Sequence, residues 1–482
     1  MKFDSHTHIH IYYSPYFLDM GLNRVFIIFC LILFGISGGA LLASDTITNC
    51  LDIEPDYFLF VSSAQLSWEN PYGEWDNPDM ILMGGQGPHL HTASYALNPD
   101  AVIDLETIFQ LFSQHEWPAS WWAERGVNVG GYHNTNGGYE FLIIGAHNQR
   151  RTNQQYNQLL TEATRLGKEY GIIVVYGSEV SPPHEGIIWN GLNTNQYYPN
   201  NFTTGGAVTQ KSQFSTIVRN VETADHHSIS VILHPQTGGR DGRNTLESTI
   251  DMLKNGSGLL EIFNGGWESG DDLRVNDHLR LGSTNSDTSP ADGNAEDLWD
   301  NVLSIGYKVW GTGCDDFHGY RKGLMEPRNS HKWAGNYCWM EVLTPQDSTP
   351  EDIVRSIEKG AFYVTQGVQI ESITVTGDTI TVVGDETVDF IEVIGSKGGE
   401  TALRPLNQGN GDTGTLLLTQ KGNSVTYTAD KTTRYDNIYV RFRLVNTDYN
   451  ESFYYDEHLD GGGDVYAWTQ PFFSRNVIRV MK

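Results

Sequence analysis

The stretch GPHLHTAS at residues 87–94 places two histidines, His89 and His91, one residue apart after an apolar run. Residues i and i+2 of a β-strand lie on the same side, so this pair aims two imidazoles at one point. Several later apolar runs also end in a histidine or an acid: FLIIGAHN at His147, IIVVYGSE at Glu179, ISVILHP at His234, and VWGTGCDDFH at Asp316 and His318. Core packing does not explain this recurrence. It indicates a polar site assembled from strand ends.

Amphipathic helices are predicted between these runs. Apolar residues recur at helical spacing in residues 104–114, 153–170, 217–224, 246–253 and 298–305. Strands are predicted at 57–61, 79–83, 172–176, 229–233, 259–263 and 309–312, and a last helix should start at Pro350 with Thr349 as its N-cap. This alternation favours a parallel sheet, closed or nearly closed into a barrel whose chemistry lies at the strands' carboxyl ends. After Gly367, short alternating strands predict an antiparallel β-sandwich.

The net charge indicates which partners are excluded, and the amino-terminal region indicates where the protein acts. A formal net charge of -28 leaves no broad basic surface, so we expect no nucleic-acid partner. Residues 25–42 form an apolar run that follows Arg24 and precedes Ala43, the layout of a signal peptide, with a retained membrane anchor as the alternative. We therefore expect an exported protein (periplasmic, extracellular or on the outer cell surface). Its predicted divisions are residues 1–43, the extension and signal peptide; 44–367, the metal-binding barrel; and 368–482, the sandwich.

Two further features are assigned no part in the site. His6 and His8 form a second HxH, but export would separate them from the other candidate ligands. Cys314 and Cys338 fit either a disulfide in an oxidising compartment or two buried strand thiols, and the sequence leaves both open. The oligomeric state is also left open.

The candidate ligands favour a centre with more than one metal. Imidazole and carboxylate groups suit zinc, manganese or iron. The candidates are His89, His91, His147, Glu179, His184, His234, Asp316 and His318, too many for one tetrahedral ion. Two ions that share a bridging carboxylate, for which Glu179 is the natural candidate, fit better. Such a pair of ions can hold a hydroxide and stabilise both the attacking and the leaving oxygen of an in-line displacement at phosphorus.

The order HLHT, AHN, an isolated Glu at a strand end, LHP and DxH resembles the polymerase-and-histidinol-phosphatase (PHP) family over residues 87–367. The trailing strands, which end in YAWTQP, look like the β-sandwich attached to many exported members. The resemblance implies a distorted (β/α)7 barrel, a centre of two or three metals, and hydrolysis of phosphate esters. Residue by residue it implies that Glu179 is the bridging carboxylate, that Asp316 and His318 are the closing pair, and that His184 is the histidine after the glutamate.

The chain departs from the family pattern in two places. Ala146 stands where the family usually has an aspartate, and the usual SDG after the first motif is missing. The ligand of a third metal is therefore unassigned. An insertion at residues 116–139 offers His133, while His115 and Asp100 are weaker candidates. The spacing favours two metals.

Basic residues in the loops are candidates for holding a phosphate: Arg240, Arg243, Arg321 and Lys322. We expect an exported phosphoesterase for a small phosphomonoester or phosphodiester, with Glu179, His234 and Arg240 acting in catalysis. One alternative is a non-catalytic, metal-stabilised surface protein whose sandwich contacts a glycan or another protein. Another is an amidohydrolase-like enzyme, although that class usually carries a bridging lysine where Glu179 stands.

Overall fold

The structure is a computed structural model. It describes residues 40–42, 57–61, 66–90, 105–113, 116–117, 132–133, 138–147, 153–180, 188–192, 229–233, 246–254, 256–264, 295–304, 306–314, 338–396, 415–429, 438–447, 465–475 and 477–481. The predicted helix at 217–224 lies outside these ranges. None of the helices in these ranges combines the length and apolar character needed to cross a membrane.

The helices are α1 (Leu105–Phe112), α2 (Asn153–Tyr170), α3 (Leu246–Lys254), α4 (Ala295–Ser304) and α5 (Pro350–Glu358). The strands of the first part of the chain are β1 (Ala40–Leu42), β2 (Tyr57–Val61), β3 (Met80–Leu90), β4 (Glu116–Trp117), β5 (Tyr132–His133), β6 (Phe141–His147), β7 (Ile173–Val180), β8 (Ile188–Leu192), β9 (Ile229–Leu233), β10 (Leu259–Asn264), β11 (Trp310–Cys314), β12 (Trp339–Pro345) and β13 (Phe362–Thr365). Those that follow are β14 (Ile370–Thr376), β15 (Thr379–Gly384), β16 (Phe390–Gly395), β17 (Thr415–Lys421), β18 (Ser424–Thr428), β19 (Tyr439–Asn446), β20 (Val465–Thr469), β21 (Phe472–Phe473) and β22 (Val477–Met481).

One sheet of 14 strands dominates the fold, in the order β11-β10-β9-β8-β7-β6-β3-β12-β13-β20-β19-β16-β17, with β21 beside β19. The ladders β3/β6, β6/β7, β9/β10 and β10/β11 are parallel, which confirms the predicted alternation of strands and helices there. β8 was not predicted. It lies antiparallel between β7 and β9, so these two strands still run in the same direction.

Helices cover one side of this parallel region. Thr164 of α2 is hydrogen-bonded to Tyr176 of β7, and a Cβ built on Gly167 would lie 2.6 Å from Val174 Cγ2. On β11, a Cβ built on Gly311 would lie 2.9 Å from the Trp299 ring of α4. Because successive strand residues alternate sides, positions 173, 175, 177 and 179 of β7 face away from α2.

The sheet curls so that β11 returns towards β3. Their Cα atoms come within 8 Å of each other, and a Cβ built on Gly313 would lie 2.6 Å from Sγ of Cys338, a buried thiol just before β12. Within the described ranges, however, no hydrogen-bonded ladder joins β11 to β3. The observed architecture is thus a curled mixed sheet with helices on its outer side, and the closed barrel stays a prediction.

The far half of the large sheet lies between two layers. Along β19, Val440, Phe442 and Leu444 share a core with the separate sheet β14-β15-β18, while Arg441 and Arg443 alternate with them on the other side, towards α4. We expected the sandwich to begin after residue 367. β13, before that residue, pairs with β12 on one side and with β20, from the far end of the chain, on the other. The predicted antiparallel strands are present, and they extend the same sheet.

A buried ion cluster joins α4 to this half of the sheet. The Arg441 guanidinium contacts both carboxylate oxygens of Asp300, at 2.8 and 2.6 Å, and Oε1 of Glu296 at 2.6 Å. Arg443 pairs with Glu296 at 3.0 Å and with Glu392 at 2.6 Å. Burial works to raise the pKa of Glu296, but the two guanidinium groups outweigh it and lower that pKa. The cluster therefore holds the Glu296 carboxylate charged inside the protein.

Residues before β3 pack on the same core. The Tyr72 hydroxyl donates to the Phe362 carbonyl at 2.7 Å and accepts from the Gln470 N–H at 2.7 Å, and burial raises its pKa. β1, at the end of the predicted signal segment, pairs with β2 in a sheet completed by β22. Residues 25–39 lie outside the described ranges, as do His6 and His8.

Candidate functional site

The carboxyl ends of β6 and β7 bring two predicted site residues side by side. These strands are parallel and in continuous register, from Phe141 opposite Ile173 to His147 opposite Glu179. Neighbouring strands lie about 4.8 Å apart, and partners in a ladder lie on the same face. Positions 147 and 179 therefore share the face that is turned away from α2. The 31 residues between them in sequence include α2.

Position 179 has a second neighbour that sequence reasoning missed. Asn190 of β8 is the partner of Glu179 on one side and of Val231 of β9 on the other. His147, Glu179 and Asn190 thus occupy one level across three adjacent strands, with Glu179 in the middle. The alternating run IIWNGL, directly after the candidate His184, was the sequence signal for this extra strand.

His89 lies on the strand next to β6 but further from the carboxyl edge. The β3/β6 register is interrupted between Gln86 and Leu90, and Leu90 is opposite Ile144. Ile144 precedes His147 by three residues, a drop of about 10 Å along a strand. The backbone of His89 therefore lies at a lower level than that of His147, and His91 lies outside the described residues.

The remaining candidates follow strand ends but lie outside the described ranges: His91, His184, His234, Arg240, Arg243, Asp316, His318, Arg321 and Lys322. Several strand ends next to them in sequence are described. β9 ends at Leu233, immediately before His234, and β11 ends at Cys314, two residues before Asp316. Val180 of β7 is opposite Trp189 of β8, and His184 lies between these two strands in sequence. The predictions for these side chains remain predictions.

The insertion proposed to supply a third-metal ligand contains its own small hairpin. β4 and β5 pair antiparallel, with Glu116 opposite His133. His115 and Asp100 lie outside the described residues. The structure therefore gives His133 a backbone position but adds no ligand to the row of His147, Glu179 and Asn190.

A second polar group lies at the opposite end of the same strands. The Gly84 N–H donates to Glu140 Oε2 at 2.7 Å, and the Gln86 amide donates to the Tyr139 hydroxyl at 2.7 Å. Burial raises the pKa of the Glu140 carboxyl, and the Gly84 hydrogen bond opposes that rise. Tyr139 and Glu140 directly precede β6 in sequence. These hydrogen bonds therefore join β3 to the amino end of β6, away from the candidate site.

The donor chemistry of the carboxyl edge fits a divalent cation. An imidazole and a carboxylate in adjacent register positions are the nitrogen and oxygen ligands that zinc and manganese accept. Among the side chains that the structure describes, no three His, Cys, Asp or Glu groups are grouped to hold a metal. The fit therefore depends on backbone placement and residue chemistry.

Comparisons with known proteins add little to this geometry. No family model matches the chain, and no curated protein matches it either. Among solved structures, it is similar to a two-domain protein from Bacteroides vulgatus ATCC 8482, described as containing a predicted PHP-like metal-dependent phosphoesterase. The identity is 11%, the TM-score is 0.35, and the match covers 81% of this chain and 95% of the other. A likeness at this level does not show family membership.

Proposed function

We propose that this chain is a metal-dependent phosphoesterase that acts on a small phosphomonoester or phosphodiester. The observation that carries the proposal is the pairing of His147 with Glu179 at the ends of adjacent parallel strands. It supports the PHP-like reading of the sequence motifs, with a distorted (β/α)7 barrel and an attached β-sandwich as the proposed finer description of the fold. The partial curl of the parallel region is consistent with that architecture.

Glu179 is proposed as the shared ligand of two cations. It lies in the middle of its row, with His147 on one side and Asn190 on the other, so it has neighbours in both directions. His89, His91, His184, His234, Asp316 and His318 are the proposed remaining ligands. The register gap at β3 leaves the backbone of His89 at a lower level than that of His147.

The bound cations, zinc, manganese or iron, would supply Lewis acidity towards water and the phosphoryl group. The protein's own residues would place the ester. Arg240, in the loop after His234, suits bidentate contact with phosphate oxygens and compensates charge that develops there. The net charge of -28 disfavours long polyanions and therefore favours a small ester as substrate.

Export is part of the proposal and rests on the sequence. The apolar run at residues 25–42 and the small residues after it support a signal peptide, with an amino-terminal anchor as the alternative. The β14-β15-β18 sheet and its partner strands form the proposed sandwich, which would carry contacts with a glycan or a cell surface.

The decisive experiment combines metal analysis with hydrolysis of an aryl phosphomonoester and an aryl phosphodiester by the full chain. We expect about two divalent ions per chain, activity on at least one ester, loss of activity on chelation and recovery with Mn²⁺ or Zn²⁺. Glu179→Gln and His147→Ala should each lower kcat by at least about 100-fold. Glu162→Gln, at an exposed position on α2, is the matched control and should change nothing.

Other outcomes discriminate between the remaining functions. Activity that survives both chelation and Glu179→Gln refutes the proposal. Stoichiometric metal without turnover of any ester favours the non-catalytic surface protein. The sequence feature that favours this alternative is Ala146, which stands where the PHP family usually has an aspartate. Turnover of amides or lactones in place of phosphate esters favours the amidohydrolase-like alternative.

A further inference from the structure

Residues 66–75, which precede β3, complete the hydrophobic core of the carboxyl-terminal half, and we call them the clasp. Trp68 and Tyr72 are only 2% and 1% exposed, and both belong to the core that the sheet β14-β15-β18 shares with β19. Leu66 and Trp75 pack against the same core. The predicted sandwich therefore takes part of its core from residues that lie far before it in the chain.

One side of the clasp is hydrogen-bonded to the sheet β14-β15-β18. The backbone N–H of Trp68 donates to the Gly377 carbonyl at 3.3 Å, and its indole N–H donates to the Asp378 carbonyl at 3.0 Å. The indole N–H of Trp75 donates to the Glu371 carbonyl at 3.2 Å. Glu371 is the second residue of β14, and Gly377 directly follows its last residue. Both ends of β14 are therefore bonded to the clasp.

The other side of the clasp is hydrogen-bonded to the large sheet. The Glu69 N–H donates to the Phe473 carbonyl of β21 at 2.7 Å. The Tyr72 hydroxyl donates to the Phe362 carbonyl of β13 and accepts the Gln470 N–H, both at 2.7 Å. One side chain thus joins β13 to the connection between β20 and β21, and the clasp as a whole joins the two sheets.

The clasp can dock only on structure that is made much later in the chain. Trp68 and Asp378 are 310 positions apart, and Tyr72 is 290 positions from Phe362 and 398 from Gln470. Bringing such distant residues together costs chain entropy before any contact is gained, so these contacts form slowly unless other structure has already closed the loop. Because synthesis proceeds from the amino end, the clasp stays undocked until the connection between β20 and β21 is present.

The clasp also lacks regular structure that could order it earlier. Residues 66–75 form turns and one isolated bridge, between Trp68 and Ser474, and they contain no helix or strand. Ordering such a segment costs conformational entropy that its tertiary contacts must offset. It is therefore held in place only when both sheets are formed.

We propose that the clasp is a conformational device that docks last, after both sheets have formed, and that its docking makes them unfold as one unit. The carboxyl-terminal strands are then not a separable module, because their core and both ends of β14 depend on residues 66–75. The inference uses no residue of the proposed metal centre. It is therefore independent of the proposed function, and the failure of either leaves the other unaffected.

Urea-jump kinetics of the full chain, followed by tryptophan fluorescence, test the order of docking. Tyr72→Phe keeps the ring in the core but removes the hydroxyl that accepts the Gln470 N–H. Since the proposed docking follows the folding transition state, the variant should unfold about 10-fold faster and refold at the wild-type rate. Refolding that slows by this factor, or unfolding at the wild-type rate, would overturn the inference.

Hydrogen exchange measured by mass spectrometry tests the coupling between the sheets. The measured quantity is the exchange rate of the β14, β15 and β18 amides relative to that of the β6 and β7 amides. Tyr72→Phe should raise this ratio by about 10-fold, because the sheet β14-β15-β18 can then open without the rest of the protein. Trp68→Phe, which removes the indole N–H from the Asp378 carbonyl, should raise it in the same direction by a smaller factor.

Tyr439→Phe is the matched control. The Tyr439 hydroxyl is as deeply buried as that of Tyr72, but it donates to Asp300 of α4 at 2.8 Å and has no part in the clasp. Whatever this variant does to global stability, it should leave the exchange ratio unchanged. An unchanged ratio in both clasp variants, or an equal rise in Tyr439→Phe, would refute the coupling.

Discussion

Replacing Arg441 with methionine is expected to destabilise the protein by about 3–5 kcal/mol, the cost of removing one partner from a buried ion pair. Arg441 is 1% exposed and its guanidinium lies 5.1 Å from the Trp299 ring centroid. Methionine keeps most of the side-chain volume and its apolar contacts. The substitution therefore isolates the charge that is lost.

The expected size follows from what remains in the cluster. Asp300 would lose both guanidinium contacts, at 2.8 and 2.6 Å, and keep the Tyr439 hydroxyl that donates to it at 2.8 Å. Glu296 would lose one ion pair and keep Arg443 at 3.0 Å. Asp300, whose side chain is only 4% exposed, would then keep the Tyr439 hydroxyl as its donor, while Glu296, also 4% exposed, would share Arg443 with Glu392. Desolvation of the uncompensated charge dominates the cost.

Urea unfolding followed by circular dichroism, with tryptophan fluorescence as a second probe, gives the free-energy change. Arg165→Met is the control, because Arg165 also pairs with two acids, Glu162 and Glu169, but at 49% exposure. Exposed pairs contribute little to stability, because water and salt screen them, so Arg165→Met should leave the unfolding free energy nearly unchanged. Adding Asp300→Leu to Arg441→Met should recover part of the loss. A change below about 1 kcal/mol for Arg441→Met would refute the argument that this cluster holds α4 against β19.

Three further outcomes are expected. Because the folded pKa of Glu296 is lowered, its stabilisation is present above its unfolded pKa of about 4.3 and is lost as the pH falls through the folded value. Wild type and Glu296→Gln should therefore converge in unfolding free energy as the pH falls below about 4.3 and through the folded pKa. Gly85→Ala should cost about 1–3 kcal/mol in urea unfolding, since the new Cβ would lie 2.5 Å from the Phe141 ring, whereas Gly258→Ala, with nothing within 4 Å, should be nearly neutral. Thr349→Ala removes a capping box in which the Thr349 side chain accepts the Asp352 N–H, and should cost about 1 kcal/mol by the same measurement.

Local patterns in the sequence were sufficient for the periodic elements. The spacing of Leu159, Ala163 and Leu166 predicted α2, which is observed at Asn153–Tyr170. The predicted N-cap at Thr349 and the strand at Ile229–Leu233 are likewise observed. These signals are local, since side chains three or four residues apart on a helix, or two apart on a strand, experience the same surroundings.

Long-range pairing could not be predicted in this way. The sequence contains the IIWNGL run but not its place between β7 and β9, because register is decided by which strands become neighbours. The same holds for the burial of Arg441 and Arg443, which look like surface charges until α4 supplies their acids.

The sequence by itself determined which residue types follow the strands, and hence the metal-ligand chemistry proposed for His147 and Glu179. Only the tertiary structure decided that these two are level and that Asn190 extends their row. The physical reason is that the chemistry of a side chain depends only on which amino acid occupies that position. Proximity depends instead on the curl and register of a sheet assembled from residues far apart in the chain.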